Sequence, residues 1–146
     1  MPTVHEELIA DSLAWVRFNA AVESGKLKVK MPHESSILKV KQSSKAVGDL
    51  LYLSEADLNV LALAMELKGE GYSPSIITDD YSIQNVANQI GVGFTSLMTF
   101  GIRFRLYWMV YCPACHRNYP ADYKMKKCKI CGTTLKRKPL QKQPIK

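Results

Sequence analysis

The sequence predicts an α/β protein in which helices flank a parallel sheet, followed by a small cysteine-containing module. Segments with helical periodicity alternate with short apolar runs. The connections between those runs are too long for hairpins, which favours parallel strands. Four cysteines then occur as two close pairs after residue 111. We therefore expect two parts, one built on a sheet and one held together by cysteines.

Length and composition limit the possibilities. A chain of 146 residues with 47% hydrophobic residues has room for one domain, or for a small domain with an appendage. No apolar run reaches the roughly 18 residues of a membrane span, and the first residues lack a secretory signal pattern. We expect a soluble, cytoplasmic protein.

Charge is distributed unequally along the chain. Residues 1–101 contain 8 Lys or Arg and 12 Asp or Glu, whereas residues 102–146 contain 12 and 1. A basic block of this size indicates a polyanionic partner such as nucleic acid. Carboxylates in the acidic part suit divalent cations. The alternative for the last ten residues is that their lysines serve only solubility.

The first half of the chain is predicted to be mainly helical. Helices are expected over Thr3–Ser24, His33–Val47 and from Ser54 to Gly69, and an edge strand is expected at Leu27–Met31, where apolar residues alternate with lysines. Ser54 and Asp57 have the spacing of a capping box, which would make Asp57 structural. Because Asp57 also shares a helix face with apolar residues, it is equally a candidate functional carboxylate that needs a compensating partner.

Ile76 and Ile77 predict a short buried strand that leads into Asp79, Asp80 and a helix ending at Gly91. The crevice beyond such strand ends is where α/β sheets bind ligands. The alternative is that Asp80 only caps the helix and Asp79 is a solvated neighbour. A further strand is expected over Val92–Leu97.

The cysteines give the strongest signal in the sequence. Cys112, Cys115, Cys128 and Cys131 have the C-x₂-C, twelve residues, C-x₂-C spacing of a zinc ribbon. Four thiolates leave the ion no open position, so Zn²⁺ would be structural and His116 need not be a ligand. Disulfides are the alternative, but no secretory signal supports them.

Basic and aromatic residues are interleaved around the cysteines, a combination suited to single-stranded RNA. Some of the aromatics are expected to form the core of the ribbon, Tyr107 or Trp108 among them. Arg103 and Arg105 alternate with Phe104 and Leu106, which predicts an outward basic face. The candidate RNA-binding residues are Arg103, Arg105, Arg117, Lys124, Lys126 and Lys127.

Three segments resemble a known family of nucleases. They are Val4-His5-Glu6-Glu7-Leu8, Leu53-Ser54-Glu55-Ala56-Asp57 with the apolar residues after it, and Thr78-Asp79-Asp80-Tyr81-Ser82-Ile83-Gln84-Asn85. Together with the four-cysteine ribbon they resemble the NIN-one-binding (NOB) type of PIN-domain endoribonuclease. The resemblance implies a PIN-like domain at residues 1–101 and a zinc ribbon at 102–138. Lys136-Arg137-Lys138 and the proline-containing residues after them predict a flexible basic tail at 139–146.

The resemblance also implies a catalytic cluster of acids that holds one or two Mg²⁺ or Mn²⁺ ions. The matching positions are Glu7, Asp57 and Asp80 as ligands, with Asp79 beside them. Oxygen ligands suit these ions, and the nucleophile would be a metal-activated water. The implied substrate is the precursor of small-subunit ribosomal RNA on the pre-ribosomal small subunit, with no membrane involved.

The resemblance begins after the family's first strand, which ends in an Asp and lies in the middle of the sheet. It therefore implies an N-terminally incomplete sheet and one absent metal ligand. A truncated sequence, a gene start placed too far downstream and an inactive variant are the three explanations. The first two are favoured, because the apolar helix faces and the acids would otherwise have little to pack on or bind.

Three functional hypotheses follow. The leading one is a metal-dependent endoribonuclease that cuts at the 3′ end of small-subunit ribosomal RNA. The second is a non-catalytic RNA-binding assembly factor, in which the acids are helix caps and the ribbon binds RNA. A ribbon protein for duplex DNA is a weaker third, because no recognition helix precedes the basic block.

Overall fold

The computed structural model describes residues 12–145 and confirms the α/β class with a small carboxyl-terminal module. Its elements, in chain order, are α1 (Leu13–Glu23), α2 (Glu34–Val47), a 3₁₀ turn (Leu50–Tyr52), α3 (Glu55–Gly69), β1 (Ser75–Ile77), α4 (Tyr81–Gln89), β2 (Gly93–Thr95), β3 (Phe104–Tyr111), β4 (Asn118–Tyr119) and β5 (Lys136–Pro144). Among these residues, no helix is long and apolar enough to cross a membrane.

Strands β1 and β2 are parallel and are joined by α4, as the long connection predicted. Ile76 pairs with Phe94 at the centre of the register. Ile76 is buried, whereas the neighbouring Ile77 is 64% exposed, as expected for side chains that alternate between two faces. This unit places Asp79 and Asp80 at the carboxyl end of β1.

The main core lies between α2, α3, α4 and the two-stranded sheet. It is built from residues at helical spacing, and their burial follows the apolar stripes of the sequence. The buried members are Val40, Val47, Leu58, Leu61, Ala62, Ala64, Ile76, Ile83, Val86, Ala87 and Val92. Tyr107 packs against this cluster from β3, so the carboxyl-terminal module contributes to the same core.

The amino-terminal predictions are only partly tested. The first predicted helix is present as α1, while Thr3–Asp11 lies outside the described residues. The edge strand predicted over Leu27–Met31 is wrong, because this segment has no regular secondary structure. Its alternating apolar side chains are exposed, and Lys30 instead pairs with Glu70 at 3.1 Å. Alternation without a neighbouring strand to supply hydrogen bonds is not enough to make a strand.

The carboxyl-terminal module is a three-stranded antiparallel sheet in the order β4-β3-β5. Strand β5 pairs with β3 along its whole length. Lys136 lies opposite Tyr111 at one end and Pro144 lies opposite Phe104 at the other, and the register shifts once, between Tyr107 and Trp108. The flexible tail predicted for residues 139–146 is therefore wrong over Pro139–Pro144. The segment is ordered because the long strand β3 offers it backbone partners on both sides of this register shift.

The two parts of the chain make close contact at the end of α2. Gly48 has a positive φ of 83°, and a Cβ atom there would lie 2.6 Å from the Cβ of Ala121 and 3.0 Å from that of Trp108. Lys45 and Asp122 form an ion pair of 2.9 Å across the same contact. Glycine is thus required both by the backbone conformation and by the approach of the module.

Candidate functional site

Asp79 holds the loop that follows β2. Its Oδ1 accepts hydrogen bonds from the backbone N–H groups of Leu97, Met98 and Thr99 at 3.2, 3.0 and 3.0 Å, and from the Thr99 hydroxyl at 3.0 Å. These donors, the Met98 N–H first among them, lower the pKa of Asp79. Asp79 is therefore not merely a solvated neighbour but the anchor of this loop.

Asp80 is the N-cap of α4. Its Oδ1 accepts a hydrogen bond of 2.6 Å from the Ser82 N–H, which satisfies one free donor of the first helical turn. The side chain is exposed at the end of β1. The geometry thus confirms the capping role, and it leaves the carboxylate open to solvent.

Asp57 completes the predicted capping box of α3. Its Oδ2 accepts from the Ser54 N–H and the Ser54 hydroxyl, both at 2.8 Å, and Ser54 Oγ accepts from the Asp57 N–H at 3.2 Å. The carboxylate is half-buried rather than fully enclosed in the core. The hydrogen bonds of the capping box are enough to explain the position of the Asp57 carboxylate at the start of α3.

Among the described residues, these three carboxylates have no cationic partner and form no cluster of metal-ligand atoms. Within residues 12–145, no ion pair involves Asp57, Asp79 or Asp80. In the same range, the four cysteines are the only group of three or more His, Cys, Asp or Glu whose ligand atoms converge. Glu7, the fourth predicted catalytic residue, lies outside the described residues.

The four cysteines converge on one point, as their spacing predicted. Their Sγ atoms all lie within 4.8 Å of one another, with 3.4 Å between Cys112 and Cys131 and 3.6 Å between Cys115 and Cys128. Thiolates at about 2.3 Å from a tetrahedral zinc ion are separated by roughly 3.8 Å. The donor set and its spacing therefore fit Zn²⁺.

Neighbouring groups favour the thiolate form of two of these cysteines. The Tyr119 hydroxyl lies 3.0 Å from Cys128 Sγ, and this contact lowers the pKa of Cys128 to about 6. The pKa of Cys131 is lowered by Thr133. Tyr119 is buried with Cys112 and Cys128 in a second small core, which confirms that part of the aromatic content of the ribbon is structural. The expectation that Tyr107 or Trp108 belongs to this core is wrong, because neither is part of it and Tyr107 packs against the main core instead.

The candidate RNA-binding residues differ in accessibility. Arg103, Arg117, Lys124, Lys126 and Lys127 are exposed. Arg105 is half-buried and donates from Nη1 to Gln89 Oε1 of α4 at 2.6 Å. The prediction that Arg105 belongs to an outward basic face is wrong, because α4 lies against that face of β3. The opposite face, with Phe104, Leu106 and Trp108, borders a cavity.

An internal ion pair that sequence reasoning missed joins the two parts. Asp49, only 1% exposed, pairs with Arg137 of β5 and accepts a hydrogen bond from Asn85. Burial raises the pKa of Asp49, while Asn85 and Arg137 act to lower it. The Arg137 guanidinium also lies between Tyr52 and Trp108, 4.0 and 3.8 Å from their ring centroids. The sequence signal was weak, since Asp49 and Arg137 are 88 positions apart.

Gln84 and Asn85, which helped to carry the family resemblance, join α4 to β3 and to the segment just before it. Asn85 donates to the Leu106 carbonyl and accepts from the Leu106 N–H, both at 2.8 Å. Gln84 donates to the Thr78 carbonyl and accepts from the Ile102 N–H at 2.8 and 2.9 Å. Two adjacent amides therefore fix the position of the carboxyl-terminal module relative to the end of β1.

Comparison with known proteins agrees with this architecture. Residues 1–67 match the family described as the PIN domain of ribonuclease. The chain is 38% identical over 132 residues to endoribonuclease Nob1 of Methanothermobacter thermautotrophicus, which covers 90% of the chain and 77% of that relative. It is 36% identical to endoribonuclease Nob1 of Pyrococcus abyssi, over 92% of the chain and 80% of the relative.

A further relative, ribonuclease VapC1 of Thermoplasma acidophilum, is 36% identical over 76% of the chain and 54% of its own length. The Nob1 matches extend over the cysteine module as well as the helical part, in agreement with the two-part fold. The chain therefore belongs to the Nob1 family of PIN-domain endoribonucleases.

Proposed function

We propose that this protein is a metal-dependent endoribonuclease that cuts the precursor of small-subunit ribosomal RNA at its 3′ end. In this proposal it acts in the cytoplasm on the pre-ribosomal small subunit. The observation that carries the proposal is the exposed carboxylate of Asp80 at the carboxyl end of β1, which has no ion-pair partner among residues 12–145 and lies beside a basic module that fits RNA. Membership of an endoribonuclease family supports the same conclusion.

The acids would act by holding a divalent cation. Glu7, Asp57 and Asp80 are the proposed ligands, with Asp79 beside them, and carboxylate oxygens suit Mg²⁺ and Mn²⁺. When bound, such an ion supplies polarisation of the phosphodiester and a water of lowered pKa. Asp79 would keep the β2–β3 loop in position through its bonds to Leu97, Met98 and Thr99.

The ribbon would hold the RNA. Zn²⁺ bound by the four cysteines is structural, because the four thiolates fill its coordination sphere. Arg103, Arg117, Lys124, Lys126 and Lys127 are exposed and would neutralise phosphates, whereas Arg105 would contribute mainly through its bond to Gln89. Gln84 and Asn85 attach the start of the ribbon, at Ile102 and Leu106, to α4, and Gln84 also bonds to Thr78 beside the acids, so RNA held at Arg103 would lie on the same side as Asp80.

The test is cleavage of a single-stranded RNA that spans the mature 3′ end, with the zinc-loaded chain and Mn²⁺. We expect cleavage at one junction that stops when Mn²⁺ is omitted. A matched RNA with a scrambled junction serves as control. Cleavage that continues without any added divalent ion, or equal cutting of both RNAs, would contradict the proposal.

A second candidate is a non-catalytic RNA-binding assembly factor. It is favoured by the hydrogen bonds that give Asp57, Asp79 and Asp80 complete structural roles as caps and a loop anchor. It predicts RNA binding that persists without Mg²⁺ or Mn²⁺ and no cleavage under any condition. The junction assay separates the two candidates, because only the nuclease generates new RNA ends.

A further inference from the structure

A cavity of about 470 Å³ lies where the two parts of the chain meet. Helix α4 contributes its first residues, and β3 contributes the side chains on one of its faces. The lining residues used below are Tyr81, Ser82, Arg103, Phe104, Arg137 and Lys142. A volume of this size is within the range of natural small-molecule sites.

The chemistry of the walls fits a nucleobase flanked by phosphates. Tyr81 and Phe104 are large aromatic residues that remain 56% and 47% exposed, although each borders a concave surface. Single-stranded RNA is recognised by stacking unpaired bases on such side chains. Arg103, Arg137 and Lys142 supply three positive charges, of which Asp49 neutralises one.

The cavity is also placed next to the proposed cleavage site. Tyr81 directly follows Asp80, and the next residue, Ser82, both lines the cavity and donates its N–H to the Asp80 carboxylate. A base seated against Tyr81 would bring an adjoining phosphate close to the Asp80 carboxylate, the proposed metal ligand.

We propose that this cavity binds the base of one unpaired nucleotide of the RNA strand, stacked on Tyr81 and Phe104. Arg103 and Lys142 contact the flanking phosphates. The site rests on the proposed function, in that its ligand is the RNA that the enzyme binds. It adds a subsite that the basic surface of the ribbon does not provide, and it fixes one nucleotide beside Asp80.

The experiment uses the full zinc-loaded chain, without Mg²⁺ or Mn²⁺, and an oligouridylate of about 12 nucleotides with one central 2-aminopurine. Stacking on an aromatic ring quenches the fluorescence of 2-aminopurine. We expect quenching with the unmodified chain. Tyr81→Ala and Phe104→Ala should each reduce the quenching and weaken binding about 5- to 150-fold, the range for the loss of one base–aromatic stack.

The matched control is Tyr72→Ala, which removes a similarly exposed tyrosine that does not line the cavity. This variant should retain both quenching and affinity. Tyr81 is exposed at the first position of α4, so its removal leaves the core intact, and zinc content with thermal unfolding verifies the fold of each variant. Unchanged quenching in both Tyr81→Ala and Phe104→Ala overturns the proposal.

The quenching assay tests the nucleotide subsite separately from RNA cleavage. Quenching that depends on Tyr81 and Phe104, in a chain that never cleaves RNA with Mn²⁺, supports the subsite and rejects the proposed nuclease. Cleavage of the junction RNA without quenching supports the nuclease and rejects the subsite. A second variant, Arg103→Ala, should lower the dependence of log affinity on log salt by about 0.7 if it contacts one phosphate; an unchanged slope rejects that contact.

Discussion

The four cysteines and the three carboxylates at the acidic edge of the sheet, Asp57, Asp79 and Asp80, differ in what their positions reveal about a bound metal ion. All four thiols converge within 4.8 Å, and two of them are buried. Asp57 and Asp80 instead accept hydrogen bonds from backbone N–H groups within three residues of them, and Asp79 accepts from those of the β2–β3 loop. The cysteine site is recognisable from its own geometry, whereas the acids have a structural role whether or not a cation is present.

The reason lies in the side chains. A carboxylate is a good acceptor for the free N–H groups at helix ends and in loops, so it is used for caps as readily as for metals. A thiolate pairs with soft metal ions and has few structural alternatives in a reducing environment. A convergent set of cysteines therefore fits a soft metal ion such as Zn²⁺ on geometry alone, while a set of acids needs a functional test.

The largest expected effect is loss of the zinc site. Cys128→Ser should abolish zinc binding and unfold the ribbon, because structural Zn²⁺ contributes about 10–16 kcal/mol in zinc-finger peptides. Released zinc measured with a chromogenic chelator, together with thermal unfolding, checks this. His116→Asn is the control: it keeps a residue that tolerates the positive φ of 58° and should retain the ion. Equal zinc content in Cys128→Ser and the parent would contradict a four-cysteine site.

The next largest effect concerns the buried pair that joins the two regions. Arg137→Ala should lower the free energy of unfolding by about 3–5 kcal/mol, because it leaves the buried Asp49 without its cation. Urea unfolding provides the measurement. Asp49→Asn combined with Arg137→Met should recover part of that loss, since it removes both charges. A loss below about 1 kcal/mol for Arg137→Ala would show that the pair does not hold the module in place.

A smaller effect is expected at Gly48. Gly48→Ala adds a left-handed backbone cost of about 1–2 kcal/mol and an overpacking cost of about 1–3 kcal/mol against Ala121 and Trp108. Gly25→Ala is the matched control, because Gly25 has a φ of 70° but no atom within 4 Å of the added Cβ. Denaturation midpoints should place Gly48→Ala well below Gly25→Ala. Equal midpoints for Gly48→Ala and Gly25→Ala would mean that Ala121 and Trp108 do not pack closely against Gly48.

The smallest effect is the response of the β2–β3 loop to acid. Because the folded pKa of Asp79 is lowered, its contribution to stability is present above the ordinary Asp value of 3.8 and is lost as pH falls through the folded pKa. The amide resonances of Met98 and Thr99 should therefore titrate below pH 3.8. Asp79→Asn should abolish that titration. A midpoint at or above 3.8 would contradict the hydrogen-bonded anchor.

Local signals predicted much of this structure. The apolar stripe and the capping box of Ser54 and Asp57 predicted α3 correctly. Ile76 and the acids that follow it predicted β1 and α4. The cysteine spacing predicted that the four thiols converge, because each C-x₂-C pair folds as a local turn. In these cases the determining interactions lie within a few residues of one another.

What the sequence did not predict depends on partners far along the chain. The lysines and prolines of residues 136–144 indicated a flexible tail, but β3 supplies the backbone partners that make them a strand. Leu27–Met31 alternates as a strand would, yet no described strand pairs with it. The Asp49–Arg137 pair and the cavity beside it arise only when the two parts dock.

The most direct test of the central claim is the rate of Mn²⁺-dependent cleavage by Asp80→Asn. Asparagine caps a helix about as well as aspartate, so the variant keeps α4 and removes only the charged ligand. We predict an unchanged unfolding midpoint and a cleavage rate at least about 100-fold lower, since loss of a metal ligand removes several kcal/mol of transition-state stabilisation. Cleavage at the parental rate would show that Asp80 is only a cap and that the acidic edge is not the active site.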